Sequence, residues 1–306
     1  MGKVILIADS GTTKTDWSVV NDYLLAGSIQ TKGMNPYFQS CEEIMEEIRT
    51  VLIPQLKILL TDNTSKEGDN YCVNSISRVD GISVDEVYFY GAGCVFDKVD
   101  IMRDSISSCI KNSEIHVYSD LLAAAHSTCG LEAGIACIMG TGSNSCFYDG
   151  QQIIKNVPPL GFILGDEGGG ATLGRLLVSD ILKEMMPKYL RDAFFERYKL
   201  TQAEILNNVY KLPFPNRFLA SFSPFLYEFI DVPEIKEIVF KSFISFIKRN
   251  VMQYDYEKYT ANFVGSVAYH FKDVLVEATE TQKVRVGRIF KSPMSELVNY
   301  HNIRIL

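Results

Sequence analysis

The residues best suited to chemistry stand near the N-terminus, in the segment D-S-G-T-T-K-T-D at positions 9–16. Five apolar residues precede the segment and W-S-V-V follows it, a pattern that predicts two strands joined by a polar turn. Glycine lets backbone N–H groups approach an anion closely, and the threonine and lysine side chains add donors. Asp9, at the end of the first strand, is placed to hold a hydrated Mg²⁺. A plain polar hairpin explains the segment equally well.

A second copy of this arrangement begins at position 135. Residues 135–139 predict a strand, G-T-G-S-N at 140–144 predicts a polar tip, and residues 145–157 predict two further strands joined by an Asp-Gly turn. The repetition lies in the order of the elements and in the chemistry of the tips, because the residues themselves differ. It predicts two similar units whose hairpins line a cleft from both sides.

The second tip also comes close to the glycine pattern of dinucleotide-binding proteins, with Gly140, Gly142 and Ser145 in the three positions. That pattern requires a helix directly after the glycines. Here the chain continues as a hairpin, so a Rossmann dehydrogenase is disfavoured.

Acidic residues stand at two further places where the chain enters a predicted helix. Asp120 follows the strand-like residues 115–118 and precedes the helix-forming run L-L-A-A-A. It is either an N-cap, which the pattern alone favours, or a carboxylate presented at the end of a strand. The segment G-D-E-G-G-G at 165–170 precedes a predicted helix over 171–186, and its glycines suit close approach of a sugar or an anion to the backbone. A flexible loop is the alternative there.

Helical periodicity fills the regions between the predicted strands. Apolar residues recur at helical spacing over residues 42–60, where Pro54 must kink or break the helix. Beyond the second hairpin, the pattern predicts helices over residues 188–198, 201–210 and 233–253. Strands and helices that alternate in this way indicate an α/β protein.

Composition limits the classes of protein that the chain can belong to. With 306 residues, 47% of them hydrophobic and 22% charged, the sequence is globular and long enough for two domains. A net charge of -7 argues against nucleic acid or an anionic membrane as a partner. The seven cysteines show no C-x-x-C spacing, and the apolar run after the first residues is too short for a signal peptide. We therefore expect a cytoplasmic protein with reduced thiols.

Taken in order, the motifs resemble a known family. The series D-x-G-T-T-K-T-D, an isolated Asp, G-T-G-S-N, G-D-E-G and V-G-S-V is similar to that of the BadF/BadG ATPases and N-acetylglucosamine kinases, within the superfamily of sugar kinases, actin and heat-shock chaperones. The likeness covers residues 4–270. It implies an α/β fold with two RNase H-like (actin-like ATPase) domains around a central nucleotide cleft. The first would span 1–118, with the C-terminal helix 291–306 as a candidate addition, and the second would span 119–290 with a helical insertion.

The resemblance also implies a role for individual residues. Asp9 would be the Mg²⁺ ligand and Asp120 the catalytic base. The residues implied in nucleotide binding are Gly11, Thr12, Thr13, Lys14, Thr141, Gly142, Ala220 and Gly265. Those implied in substrate binding are Asn35, Asp120, Ser143, Asn144, Gly161 and Asp166.

The activity implied is that of an ATP-dependent kinase with ATP and Mg²⁺ as cofactors and a sugar or amino sugar as substrate, N-acetylglucosamine first among them. Asp120 would accept the proton of the sugar hydroxyl. Two alternatives stay open. One is an iron–sulfur ATPase of the dehydratase-activator type, and the other is a non-catalytic sugar sensor on the same fold. A homodimer is also left open.

Overall fold

The computed structural model describes residues 3–11, 13–62 and 84–305. Contacts divide these residues into two compact units. The first contains the described residues up to Ser127 together with those from Met294 onward, and the second runs from Thr128 to Pro293. The division falls near the end of helix α4 (Asp120–Cys129), whereas the boundary predicted at 118/119 lies just before this helix.

The first unit is built on a five-stranded sheet with the strand order β3-β2-β1-β4-β5. The strands are β1 (Val4–Ser10), β2 (Lys14–Asn21), β3 (Leu24–Lys32), β4 (Glu86–Gly91) and β5 (Glu114–Ser119). β1 is antiparallel to β2 and parallel to β4, which is parallel to β5. The central strand β1 is a continuous apolar run because it is buried on both faces. Leu6 and Ala8 belong to one core cluster, while Ile5 and Ile7 belong to another.

Helices pack on the sheet of the first unit. They are α1 (Cys41–Glu47), α2 (Ile53–Asp62), α3 (Lys98–Cys109), α4 and α14 (Met294–Ile305). The helix predicted over 42–60 is present, with a π-helical stretch, Ile48–Leu52, between α1 and α2. This stretch lies just before Pro54, which lacks the N–H of a regular helical turn. The chain therefore adjusts its hydrogen bonds at the proline and continues as a helix.

The second unit repeats this topology. Its sheet has the order β10-β9-β6-β7-β8, formed by β6 (Gly134–Met139), β7 (Ser143–Tyr148), β8 (Ile153–Val157), β9 (Ala261–Val264) and β10 (Val286–Phe290). The strand β6 is antiparallel to β7 and parallel to β9, as β1 is to β2 and β4. The repeated hairpins predicted from the sequence are confirmed, and so is the α/β class with two RNase H-like sheets.

Helices make up most of the rest of the second unit. They are α5 (Gly161–Leu164), α6 (Gly170–Leu182), α7 (Lys188–Tyr198), α8 (Gln202–Tyr210), α9 (Pro215–Ala220), α10 (Ser223–Glu228), α11 (Pro233–Arg249), α12 (Ser266–His270) and α13 (Lys272–Thr281). Apart from α5, which has no buried residue, these helices pack apolar side chains into one core cluster with Ile135, Cys137 and Met139 of β6. Within the described ranges, no helix is both long enough and apolar enough to cross a membrane.

Candidate active site

The tip of the first hairpin is a tight turn whose donors are partly engaged. The Gly11 N–H donates to the carbonyl oxygen of Lys14 at 3.0 Å, and the Lys14 ammonium pairs with the Asp16 carboxylate at 2.6 Å. Gly11, Thr13 and Lys14 are exposed, while Thr12 lies outside the described residues. A phosphate at this tip would therefore meet the exposed Thr13 side chain and would compete with Asp16 for Lys14.

Two carboxyl groups of the first unit interact at the carboxyl end of its sheet. Asp9 stands near the end of β1, and Asp120 follows β5 directly. Burial raises the pKa of Asp9 to about 7, assisted by the negative charges of Asp120 and Asp16 and opposed by Lys14. Burial also raises the pKa of Asp120. The backbone N–H of Leu121 opposes this rise, because it stabilises the carboxylate by a hydrogen bond. Two carboxyl groups with raised pKa values suit proton transfer or cation binding.

The start of α4 shows how Asp120 relates to helix capping. The Ser119 hydroxyl oxygen accepts a hydrogen bond from the Leu122 N–H at 3.3 Å, so Ser119 caps the helix. Asp120 is the first helical residue, and its carboxylate interacts with the N–H of Leu121 while the residue stays partly exposed. The carboxylate presented at a strand end is therefore compatible with a capped helix.

Asn35 is buried in a loop that holds its side-chain oxygen. Its Oδ1 accepts from the Tyr37 N–H at 3.0 Å. Gly93 has a φ of +82°, and a Cβ there would stand 2.6 Å from Asn35 Oδ1, so only glycine fits. The amide nitrogen is the group that Asn35 can offer to a ligand. Sequence reasoning did not connect Gly93 or its buried neighbour Cys94 with Asn35. The only local signal was the motif G-A-G-C at the end of a predicted strand.

The tip of the second hairpin rests on the N-terminus of α6. The Gly170 N–H donates to the Gly140 carbonyl at 2.8 Å, and the Ala171 N–H donates to the Thr141 carbonyl at 2.9 Å. A third hydrogen bond closes the tip itself, from the Gly140 N–H to the carbonyl of Gly142 at 3.0 Å. Thr141 is exposed at this tip, where its side chain can meet a ligand.

The Asp166 carboxylate packs against this second tip and accepts a hydrogen bond from it. Its Oδ1 accepts from the Ser143 N–H at 3.0 Å, and a Cβ on Gly142 would stand 2.8 Å from its Oδ2. The Ser143 hydroxyl donates to the Glu167 carbonyl at 2.7 Å. Burial raises the pKa of Asp166, and the Ser143 N–H opposes that rise. Asp166 and Ser143, both implied in substrate binding, are thus brought together and already engage each other.

A cavity of about 410 Å³ lies beside this tip within the second unit. Its lining residues are Gly140, Thr141, Gly170, Ala220, Ser221, Ser223, Pro224, Tyr227, Ser266, Val267, His270 and Phe271. The walls are mostly apolar and aromatic, and they include Thr141 and Ala220, two of the eight residues implied in nucleotide binding. The Ser223 hydroxyl oxygen is buried and has no hydrogen-bond partner in the described part of the chain. Apolar walls of this kind suit a small organic ligand.

Gly265 lies beside the same tip, where close packing requires a glycine. Its φ is +129°, and a Cβ there would lie 2.2 Å from the Met139 carbonyl oxygen. The glycine is therefore required by close packing on the backbone of β6, and the cavity is lined by its neighbours Ser266 and Val267. Nucleotide binding by Gly265 stays a prediction.

The two remaining predicted residues lie at β7 and at α5. Asn144, on β7, accepts hydrogen bonds through its side-chain oxygen from Ser145 and Asn156. Gly161 is exposed with a φ of +73°, and a Cβ there would meet no atom within 4 Å. Backbone conformation, and not lack of space, favours glycine at this position.

Paired sheets of this topology are the fold of actin-like ATPase sugar kinases. The chain is 40% identical to a protein described as a putative N-acetylglucosamine kinase from Porphyromonas gingivalis, with a TM-score of 0.89. The match covers 99% of this chain and 100% of that chain. The chain belongs to the family of that protein.

Two further solved structures share the fold at low identity. A putative N-acetylglucosamine kinase from Chromobacterium violaceum is 14% identical with a TM-score of 0.71, and the match covers 97% of this chain and 98% of that one. A ROK family glucokinase from Streptomyces griseus, in complex with glucose and AMPPNP, is 12% identical with a TM-score of 0.54 and 98% coverage of both chains. No family model matches the chain, and no curated protein matches it.

Proposed function

We propose that the protein is an ATP-dependent kinase that phosphorylates a sugar or amino sugar, with N-acetylglucosamine as the leading substrate. The observation that carries the proposal is Asp120, a carboxyl group with a raised pKa at the end of β5, close enough to Asp9 for their charges to interact. The 40% identity to the Porphyromonas gingivalis protein supports the choice of substrate class.

Asp120 serves as the general base in this proposal. A sugar hydroxyl is a poor nucleophile at neutral pH, so a positioned base that accepts its proton speeds the attack on a phosphoryl group. The hydrogen bond from the Leu121 N–H stabilises the charged carboxylate and offsets part of the rise in pKa that burial causes. Partial exposure leaves room for a hydroxyl group to approach.

Asp9 fits a magnesium ion that is held mainly through water. No group of three or more ligating side chains that could hold a metal occurs in the described residues. Mg²⁺ usually binds through one or two carboxylates and keeps several waters, so a single Asp9 side chain meets this need. When bound, the ion supplies positive charge that stabilises a transferring phosphoryl group. It would also offset the repulsion between Asp9 and Asp120.

The nucleotide fits the cavity of the second unit. Its apolar walls, Val267 and Phe271 among them, suit a base. Thr141 is exposed at the tip that borders the cavity, and in this proposal it contacts phosphate oxygens.

The two rival functions are less well supported. An iron–sulfur ATPase needs thiolate ligands, whereas burial raises the pKa of Cys94 and Cys146 to about 12 each. A non-catalytic sugar sensor does not require two interacting carboxyl groups, such as Asp9 and Asp120, at the carboxyl end of the sheet.

A coupled assay of ADP release tests the proposal. The purified protein is mixed with ATP, Mg²⁺ and, separately, N-acetylglucosamine, glucosamine, N-acetylmannosamine and glucose, and the product is identified by mass spectrometry. We expect sugar-dependent ADP release with N-acetylglucosamine as the best substrate. ADP release that is the same with and without every sugar would contradict the proposal and favour an ATPase.

A further inference from the structure

The carboxamide of Asn144 is held in one orientation by a residue on the neighbouring strand. Asn144 lies on β7, and Asn156 lies diagonally opposite on β8, where its Cα partner is Cys146. Asn144 Oδ1 accepts two hydrogen bonds, from the Ser145 N–H at 2.9 Å and from Asn156 Nδ2 at 2.9 Å. Nothing in the sequence pattern marked Asn156.

Backbone groups determine which atom of each carboxamide is the oxygen. The Ser145 N–H can only donate, so the atom of Asn144 that it contacts must be the oxygen. Asn156 Nδ2 also contacts the Ser145 carbonyl at 2.7 Å and the Val157 carbonyl at 3.0 Å, and these can only accept. The nitrogen of Asn156 is therefore assigned as well, and neither amide can turn over without placing like groups against each other.

The consequence concerns what Asn144 presents to a ligand. With its oxygen used twice, the side chain offers its NH₂ group, and no hydrogen bond engages that nitrogen in the part of the chain that the structure describes. Asn144 is partly exposed and is the second residue of β7, at the base of the second tip. The group at this position is thus a donor and pairs with an acceptor oxygen.

We propose that Asn156 is a positioning residue that turns the Asn144 carboxamide so that its NH₂ group donates to an oxygen of the sugar. The inference rests on the proposed sugar kinase function. The acceptor is either a ring hydroxyl or the carbonyl of an acetamido group. Without Asn156, Asn144 keeps only the Ser145 contact, and binding then includes the cost of ordering the side chain.

The strand pair does not depend on Asn156 for its integrity. The Tyr254 hydroxyl donates to the Ser145 carbonyl at 2.9 Å and accepts from the Val157 N–H at 2.9 Å, so it links β7 and β8 independently. Asn156 itself is exposed. Its replacement by alanine should therefore leave a folded protein.

Steady-state kinetics on five variants test the proposal, with melting temperatures as the check on folding. Asn156→Ala should raise the sugar KM about three- to tenfold, the range for one net hydrogen bond, with kcat and the ATP KM within about twofold. Lys155→Ala is the matched control, because it removes a side-chain hydrogen bond to the Gln253 carbonyl from the same strand without touching Asn144. It should leave the sugar KM unchanged.

The decisive variants change Asn144 itself. Asn144→Asp keeps the oxygen that accepts from Ser145 but replaces the NH₂ group by a second acceptor, so we expect a sugar KM raised by roughly 100-fold. In Asn144→Ala, adding Asn156→Ala should change the sugar KM no further, because the positioned group is already gone. A loss confined to N-acetylated sugars identifies the acetamido carbonyl as the acceptor, and an equal loss for glucose identifies a hydroxyl.

The outcomes separate this inference from the proposed function. A wild-type enzyme that phosphorylates sugars, with Asn156→Ala indistinguishable from Lys155→Ala, overturns the positioning role. Normal sugar KM in Asn144→Asp overturns the donor assignment. A wild-type protein that binds and phosphorylates no sugar overturns the proposed function and this inference with it.

Discussion

The carboxyl groups of Asp9 and Asp120 lie close enough for the charge of Asp120 to help raise the pKa of Asp9 to about 7. The topology brings them together, because β1 and β5 both run parallel to β4 and end at the same edge of the sheet. Both residues would be ionised in water at neutral pH. In the fold, burial and mutual repulsion make the doubly charged state costly unless a proton or a cation is present.

The stability of the protein should therefore depend on the state of Asp9. Its folded pKa of about 7 lies above the ordinary value of 3.8, so the folded state keeps a proton that the unfolded chain has lost. Between these values, stability falls as pH rises, and above pH 7 the whole penalty is present. We expect Asp9→Asn to be more stable than the wild type at pH 8, by up to about 4 kcal/mol in the free energy of unfolding, and to match it near pH 4.

Thermal melts from pH 4 to pH 8, with and without Mg²⁺, measure this effect. Asp104→Asn, which changes an exposed carboxyl group of the same unit, is the control and should show no such pH-dependent gain. Mg²⁺ should stabilise the wild type at pH 8 and leave Asp9→Asn unchanged. Equal responses of the wild type and Asp9→Asn to Mg²⁺ would place the ion elsewhere.

Base catalysis by Asp120 can be separated from helix capping. Asp120→Asn keeps the shape of the side chain and removes the basic oxygen, so kcat should fall by about 10²–10⁴-fold. Its melting temperature should stay the same or rise, because burial opposes the charged form. Ser119→Ala removes the hydroxyl that caps α4. It should lower the melting temperature, with a loss of about 1 kcal/mol in the free energy of unfolding, and should leave kcat normal. The reverse pattern would make Asp120 a structural residue.

Filling the cavity of the second unit should weaken nucleotide binding selectively. Ser266 is exposed and lines the cavity, so Ser266→Phe can occupy the space without disturbing the core. We expect the ATP KM to rise at least about tenfold, since the lost contacts are those of a buried base, with the sugar KM unchanged. Ser266→Ala keeps the cavity open and serves as the control. Equal KM changes for ATP and sugar would show that the nucleotide binds elsewhere.

Two glycines with positive φ should differ sharply in their tolerance of alanine. At Gly161 a Cβ meets open space, so Gly161→Ala should lose only about 1–2 kcal/mol for the left-handed backbone. At Gly265 the Cβ would also strike the Met139 carbonyl oxygen 2.2 Å away, and the loss should reach about 2–5 kcal/mol. Urea unfolding of both variants measures the difference. Similar losses would mean that β6 shifts readily to accept the methyl group.

The protein should be colourless and free of iron after anaerobic purification. Cluster ligation requires thiolates, and burial raises the pKa of Cys94 and Cys146 to about 12 and that of Cys137 well above its usual range. Cys72 lies outside the described residues. Absorption spectra and an iron assay provide the check, and a brown protein with stoichiometric iron would revive the dehydratase-activator alternative.

The sequence by itself determined the two hairpins and their repetition. Their strands alternate or run apolar between polar tips, so local rules suffice for the strands. The predicted Asp-Gly turn is longer in the structure, because the Asp149 N–H donates to the Gln152 carbonyl and β8 begins only at Ile153. Strand ends also marked Asp9 and Asp120 as candidate chemical groups. The resemblance of the ordered motifs then indicated the fold, because each motif lies where a strand, a tip or a helix start is locally encoded.

Only the tertiary structure decided how these elements contact one another. The hydrogen bond from Ser143 to Asp166 joins groups on different elements. The close packing of Gly265 on the Met139 carbonyl also joins groups on different elements. Likewise, the Tyr90 hydroxyl bonds Nδ1 of His126 at 2.8 Å, although no local pattern pairs these residues.

The reason is that a side chain's partners depend on the packing of whole elements, which no local window contains. Asn156 reaches Asn144 only because the register of β7 and β8 sets them diagonally opposite. The pKa of Asp9 likewise depends on burial and on a carboxylate from another strand end. Local sequence determines which groups are present at each strand end, and long-range packing determines their neighbours, orientation and charge.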